Sequence, residues 1–168
     1  MTEERTRKVL IFPARPAEVG PVEGPLLFLF SMGQVADIMK TAVIHPVPFS
    51  PPHIEGIACW RKGVLPVFSP EGCLSGGKGD DKRGKEGQGG KEERFVVVRG
   101  PGGGRQPAGA IFRARGAVEL LSLPGGTAPA STPRWITRPD RVRGVYAWGE
   151  RYLIVLDIVS ILRDNGRD

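Results

Sequence analysis

Few side chains in this sequence are placed for covalent chemistry. His45 lies between Ile44 and Pro46, and His53 follows Pro51 and Pro52. Neither has a Ser or Cys at a spacing that would pair a nucleophile with a base. Cys59 and Cys73 are the only cysteines, and no histidine cluster accompanies them. Zinc wants four ligands in paired spacing, so no metal site is assigned. "GPGGGRQP" (Gly100 to Pro107) is glycine-rich but lacks the Lys-Ser/Thr of a phosphate loop and the spacing of a dinucleotide fingerprint, so it reads as a turn. No catalytic residue and no cofactor follow from this inventory, and an enzyme is not expected.

What remains is the chemistry of recognition. In "GIACWRKGVLPVF" (Gly56 to Phe68), Trp60, Arg61 and Lys62 sit together before Gly63, with apolar residues leading in and out. A guanidinium fork can hold a carboxylate bidentately, either fixing a turn or docking on a partner. Trp60 is either an interface anchor or a packing residue, and the recurrence of Trp148 in a similar stretch favours packing. Cys59, inside the apolar run, is expected to be a small buried hydrophobe. A disulfide to Cys73 is not expected in a reducing compartment.

Bulk properties narrow the class. A chain of 168 residues holds one domain of ordinary size or two small lobes sharing a core. With 40% hydrophobic and 25% charged residues it is globular, and 24 glycines with 16 prolines favour short strands and turns over long helices. The net charge is +6, with a pI near 9.7, which raises nucleic acid as a partner. The basic residues are scattered, however, and no aromatic platform is interleaved with them. A small basic β-barrel that binds nucleic acid therefore stays a rival reading, separable by its steep salt dependence. "PLLFLF" (Pro25 to Phe30) is far short of the roughly 18 apolar residues a membrane span needs. No signal peptide is evident, so a cytoplasmic location without direct membrane insertion is expected.

The elements that must position Arg61 can be read from periodicity. "KVLIFP" and "LLFLFSM" are strands, joined by the loop "ARPAEVGPVEG". "GQVADIMK" suits a helical turn, with Val35, Ile38 and Met39 at i, i+3 and i+4. "HPVPFSPP" carries four prolines in eight residues and must be irregular. Ile54 to Phe68 is a hairpin. Residues 75–94, glycine-rich with nearly balanced charge, read as a flexible excursion. "RFVVVRG", "AGAIFRA" and "GAVELLSL" are further strands, "PGGTAPASTP" a loop, and "RVRGVYAWGERYLIVLD" a second hairpin. Asp157 is placed to N-cap a short helix, "IVSILRD", with Gly166 beyond its end.

The two hairpins align without a gap. Gly56 meets Gly144, Trp60 meets Trp148, Leu65 meets Leu153 and Val67 meets Val155. Both copies are apolar at most positions, so their strands must be buried on two faces or on one face plus a lobe interface. Pro66 lacks an amide donor and marks its strand as an edge or bulge. Two small barrels packed together satisfy these demands.

This arrangement resembles the CheW family, the adaptors of bacterial chemotaxis arrays. "VADIMK" near Val35 and "IEGIACWRKGVLPVFS" carry the resemblance, together with "VELLSL" and the ending "VRGVYAWGERYLIVLDIVSIL", so it spans Lys8 to Arg163. In the family a Val-x-Glu-Ile segment precedes a Gly-Val-x-Asn-Leu-Arg-Gly hairpin. Here Asp37 replaces the Glu, Cys59 the Asn, Trp60 the Leu and Lys62 the Gly, with Gly63 one place later. Ser69 stands where an acidic residue usually ends the outgoing strand, another acidic position falls near Arg113 or Arg115, and Pro13 to Pro25 is an insertion.

The resemblance implies an all-β fold of two small SH3-like barrel lobes side by side, with short helices at the first-lobe turn and the C-terminus. One lobe would span about 8–74 plus terminal segments and the other about 95–165. It further implies a surface for a CheA-type histidine kinase, carried by Asp37, Gly56, Trp60, Arg61 and Lys62. A groove for the chemoreceptor tip would be lined by Val35, Ile38, Val118 and Leu120. The function implied is a non-catalytic adaptor between that kinase and its receptors, or a related interaction module used outside motility.

Overall fold

Apolar runs in this chain bury both alternate faces of their strands. A computed structural model describes residues 7–14, 25–75, 92–100, 109–123 and 126–164. In β1 (Lys8–Pro13), Val9 and Ile11 enter one hydrophobic cluster while Leu10 and Phe12 enter another. The same division recurs in β6 (Arg94–Val98), where Phe95 and Val97 part from Val96 and Val98. Such strands need a partner layer on each side, and two sheets supply it.

The first sheet runs β8 (Glu119–Ser122), β1, β2 (Leu26–Ser31), β11 (Arg151–Leu156), β10 (Val142–Trp148), β9 (Ala128–Pro129). The second runs β3 (Val35–Met39), β6, β7 (Ala110–Ala114), β5 (Gly63–Phe68), β4 (Ile54–Trp60). Helix α1 (Pro70–Ser75) follows β5 and α2 (Ile158–Asp164) follows β11. The mostly-β fold is the one expected, and among the described residues its strands form two sheets.

The two sheets are built alike. In each, a hairpin (β1–β2 or β6–β7) lies beside an antiparallel edge strand (β8 or β3). In each, that hairpin's second strand pairs in parallel with the outgoing strand of the other hairpin, β2 with β11 and β7 with β5. Along the sequence, however, β1–β2 precede β3–β5 and β6–β7 precede β8–β11. Each half of the chain therefore lends its opening hairpin to the sheet of the other half. The sheets do not follow the lobes expected at 8–74 and 95–165, because each draws strands from both sides of residues 75–94. Of that expected excursion, 76–91 lie outside the described residues, as do 15–24 of the expected insertion, 101–107 of the glycine turn and Gly166.

The matched hairpins share detail beyond sequence. Both carry a bulge one residue before the aligned glycine, between Ile54 and Gly56 and between Val142 and Gly144. Both close on a two-residue turn, with Trp60 opposite Gly63 and Trp148 opposite Arg151. Both are followed by a helix with a side-chain cap: the Gly72 amide donates to Ser69 Oγ (3.2 Å) and the Ser160 amide to Asp157 Oδ1 (3.1 Å). Asp157 thus caps its helix as expected, and Ser69 does the same at the aligned position.

Three local expectations are corrected. "VADIM" is not a helical turn but strand β3. Its bulge between Val35 and Asp37 shifts the phase by one, so residues three apart, Val35 and Ile38, face the same core. A bulged strand imitates helical spacing. The first-half helix is instead α1, and the loop "PGGTAPASTP" contains the short strand β9. Cys59 is exposed, not buried, and both cysteines are free.

Among the described residues packing is organised in three clusters. One gathers on β1, β2, β8, β10 and β11 around Val9, Ile11 and Leu153; one gathers inside the second sheet around Trp60, Val67, Phe95 and Ile111. The largest joins the sheets: Phe12 and Phe28 contact across 5.4 Å, Phe12 and Phe30 across 5.9 Å, Phe30 and Phe112 across 5.4 Å, and Phe112 and Phe68 across 5.5 Å. Each such pair adds about 0.5–1.5 kcal/mol beyond the area it buries.

Candidate protein-binding site

The β4–β5 turn forces Arg61 into an unusual backbone. Arg61 has φ +51°, and the aligned residue of the second hairpin is Gly149 at +60°. A left-handed L-residue costs roughly 1–2 kcal/mol, which glycine avoids. The guanidinium carbon of Arg61 lies 4.4 Å from the centre of the Trp60 ring. That ring is buried, and its Nε1–H donates to Asp37 Oδ2 at 2.9 Å. Asp37 Oδ1 in turn accepts the Ile38 amide at 2.8 Å. Arg61, Trp60 and Asp37 are therefore brought together, the cation over the indole face and the carboxylate at its N–H edge. Among the described residues no ion pair joins Arg61 to Asp37, so the guanidinium fork keeps its outward donors.

The other residues of the first set divide by exposure. Lys62 is exposed beside Arg61. Gly56 is buried with φ +152°, and a Cβ there would meet the His45 carbonyl oxygen at 2.3 Å. It is a close-approach glycine: the 44–45 segment lies against β4, and His45 and Ile57 exchange both amide bonds, at 2.8 and 2.9 Å. Gly56 shapes the surface and is not on it.

The second set divides between the inter-sheet cluster and the surface. Val35 is buried in the inter-sheet cluster, and Ile38 and Val118 pack against it. Leu120, opposite Leu10 on β8, stands on the same face but is 60% exposed. Val35 and Ile38 lie on the edge strand of one sheet and Leu120 on an edge strand of the other.

Sequence reasoning missed an ion network and an apolar face. Arg113 Nε pairs with Glu93, Arg113 Nη1 reaches Glu55 Oε2 at 3.3 Å, and Arg115 pairs with Glu55. Burial alone would lower the Arg113 pKa, but the Glu93 and Glu55 carboxylates outweigh it and raise it. Glu55 is the residue that the β4 bulge adds. The apolar face includes Ile57 and Val64, and the alternation of β4 was its available signal. Elsewhere Arg141 Nη1 donates to the Cys73 carbonyl (3.3 Å) within a buried polar joint, where burial pushes the Cys73 thiol up to about 12.

Comparison with known proteins identifies the family and the fold. The CheW-like domain model matches residues 21–166, and the chain belongs to that family. The fold is similar to the crystal structure of the scaffolding protein TtCheW from Thermoanaerobacter tengcongensis, with a TM-score of 0.68 and 21% identity over 99% of this chain and 94% of that one. No curated protein matches significantly. Among the described residues no group of three or more His, Cys, Asp or Glu could hold a metal, and no helix is long and apolar enough to cross a membrane.

Proposed function

We propose that this chain is a non-catalytic cytoplasmic adaptor that couples a CheA-type histidine kinase to the cytoplasmic tip of a chemoreceptor. Membership of the CheW-like family supports the adaptor class. The observation that carries the kinase surface is the Arg61 stack: a charged side chain is held outward on a buried indole, at a backbone angle that costs stability. Strain kept at an exposed position is a mark of function. Asp37 and Trp60 position that arginine, Gly56 lets the 44–45 segment lie against the hairpin, and Arg61 with Lys62 meets the partner. Receptor binding is assigned to Val35, Ile38, Val118 and Leu120, of which Leu120 is the exposed member.

Titration with a kinase regulatory domain tests the reading. The wild type binds, and Arg61→Glu weakens binding by about 1 kcal/mol or more, as reversal of an interfacial charge should. Leu120→Asp spares the kinase and loses the receptor tip. Equal kinase binding by wild type and Arg61→Glu would remove Arg61 from the surface. Steep weakening with salt that extends to nucleic acid would favour the rival class.

A further inference from the structure

The likeness of the two sheets allows their charges to be compared place by place. In the second sheet the ion network centres on Arg113 of β7, which pairs with Glu93 and Glu55, and Arg115 pairs with Glu55 as well. Strand register carries each of these positions over to the first sheet. Val67 pairs with Ile111, and the aligned Val155 pairs with Leu29, so Arg113 matches Ser31 and Arg115 matches Gly33. Val96 pairs with Phe112 as Leu10 pairs with Phe30, so Glu93 matches Arg7. The bulge residue Glu55 matches the bulge residue Arg143.

The charges are inverted between the copies. Two carboxylates frame a guanidinium in one sheet, and two guanidiniums take their places around a serine in the other. Arg7 and Arg143 are both exposed, and among the described residues no ion pair engages either. Where the second sheet has the long side chains of Arg113 and Arg115, the first has only Ser31 and Gly33, which leaves room. A Cβ added to Gly33 would meet nothing beyond its chain neighbours nearer than Ser31 Oγ, at 4.0 Å. Tyr146 borders the place, its hydroxyl oxygen 2.9 Å from where a Cβ on Gly144 would stand, next to Arg143. Neighbouring like charges cost stability. A pair of guanidiniums kept without a counter-charge is suited to a carboxylate from outside, which each fork can hold bidentately.

We propose that Arg7 and Arg143, with Ser31 and Gly33 between them, bind an acidic segment of a partner protein. One of its carboxylates takes the place that the Arg113 guanidinium takes in the other sheet. This surface is separate from those assigned above. Ser31 pairs with Val9, on the face of the Val9, Ile11 and Leu153 cluster, whereas Leu120 pairs with Leu10 on the opposite face. Arg61 belongs to a hairpin of the second sheet. A protein carboxylate is favoured because the equivalent place is filled by one singly charged side chain, whereas a nucleic-acid backbone needs a run of cations.

A labelled oligoglutamate peptide is titrated against wild type, Arg7→Gln, Arg143→Gln and a charge-matched control, Arg134→Gln, which alters an exposed arginine outside the frame. The wild type should bind saturably. Arg7→Gln and Arg143→Gln should each lose about tenfold or more in affinity, while Arg134→Gln stays within about twofold. A second measurement needs no ligand. Ser31→Glu supplies the carboxylate from within, so it should abolish peptide binding and raise the denaturation midpoint above that of Ser31→Gln. That increase should vanish when Arg7→Gln and Arg143→Gln are combined with it. No saturable binding by the wild type, or an equal loss in Arg134→Gln, would overturn the site, the latter because net charge alone would then explain the attraction. A Ser31→Glu midpoint no higher than that of Ser31→Gln would overturn it too. So would single-stranded DNA binding that depends on Arg7 and Arg143 in the absence of oligoglutamate binding. The kinase titration of Arg61→Glu is read independently, so the two proposals fail separately.

Discussion

Arg61 holds a left-handed angle that its counterpart Gly149 adopts freely. The contrast makes stability and recognition separable. Arg61→Gly removes strain of roughly 1–2 kcal/mol. It also loses a cation–π contact of about 0.5–1 kcal/mol and adds unfolded-state freedom of about 0.5–1 kcal/mol. The net change in unfolding free energy should stay within about 1 kcal/mol of zero, measured by denaturant titration, while kinase binding falls. A loss of more than about 2 kcal/mol would make Arg61 a folding residue. The exposed turn was legible in the sequence because polar residues interrupt an apolar run there. The Trp60–Asp37 bond was not, since 23 residues separate the partners. Cys59 was misread because an apolar strand does not announce which of its faces the rest of the chain covers.

Hairpins, bulges and caps form the next level. The matched hairpins keep turn length, bulge position and following helix cap, all within short stretches of chain. Asp157→Ala removes the acceptor for the Ser160 amide and should cost about 1 kcal/mol, seen as a lower denaturation midpoint. Ser69→Ala should cost a similar amount at the equivalent cap. No change in either would mean that packing, not capping, starts these helices. Strand β3 marks the limit of pattern reading. Its bulge gives Val35 and Ile38 a three-residue spacing, and one sequence cannot tell that from a turn of helix.

Across the molecule, the sheets are bound by a core of phenylalanines from both. Phe112 contacts Phe30 of the first sheet and Phe68 of its own. Phe112→Ala should cost about 3–5 kcal/mol, as large aromatic truncations in cores do. Because each half lends strands to the other's sheet, calorimetry should still show one cooperative transition. Two resolved transitions would show the sheets to be independent units. The exchange of opening hairpins escaped sequence reasoning for a physical reason: strands of either half have the same apolar pattern, and nothing local selects the sheet a hairpin joins.

Local chemistry accounts for what the amino-acid order established: the two hairpins, their exposed polar turns, the Asp157 cap and the repeat that relates them. Each depends on residues a few positions apart, whose backbone preferences and alternation act before any long-range contact forms. Folding in three dimensions settled which sheet each strand entered, that Trp60 bridges Arg61 and Asp37, and that Arg113 and Arg115 meet Glu55 and Glu93. Those outcomes depend on groups far apart in sequence, whose meeting is governed by the packing of the whole core.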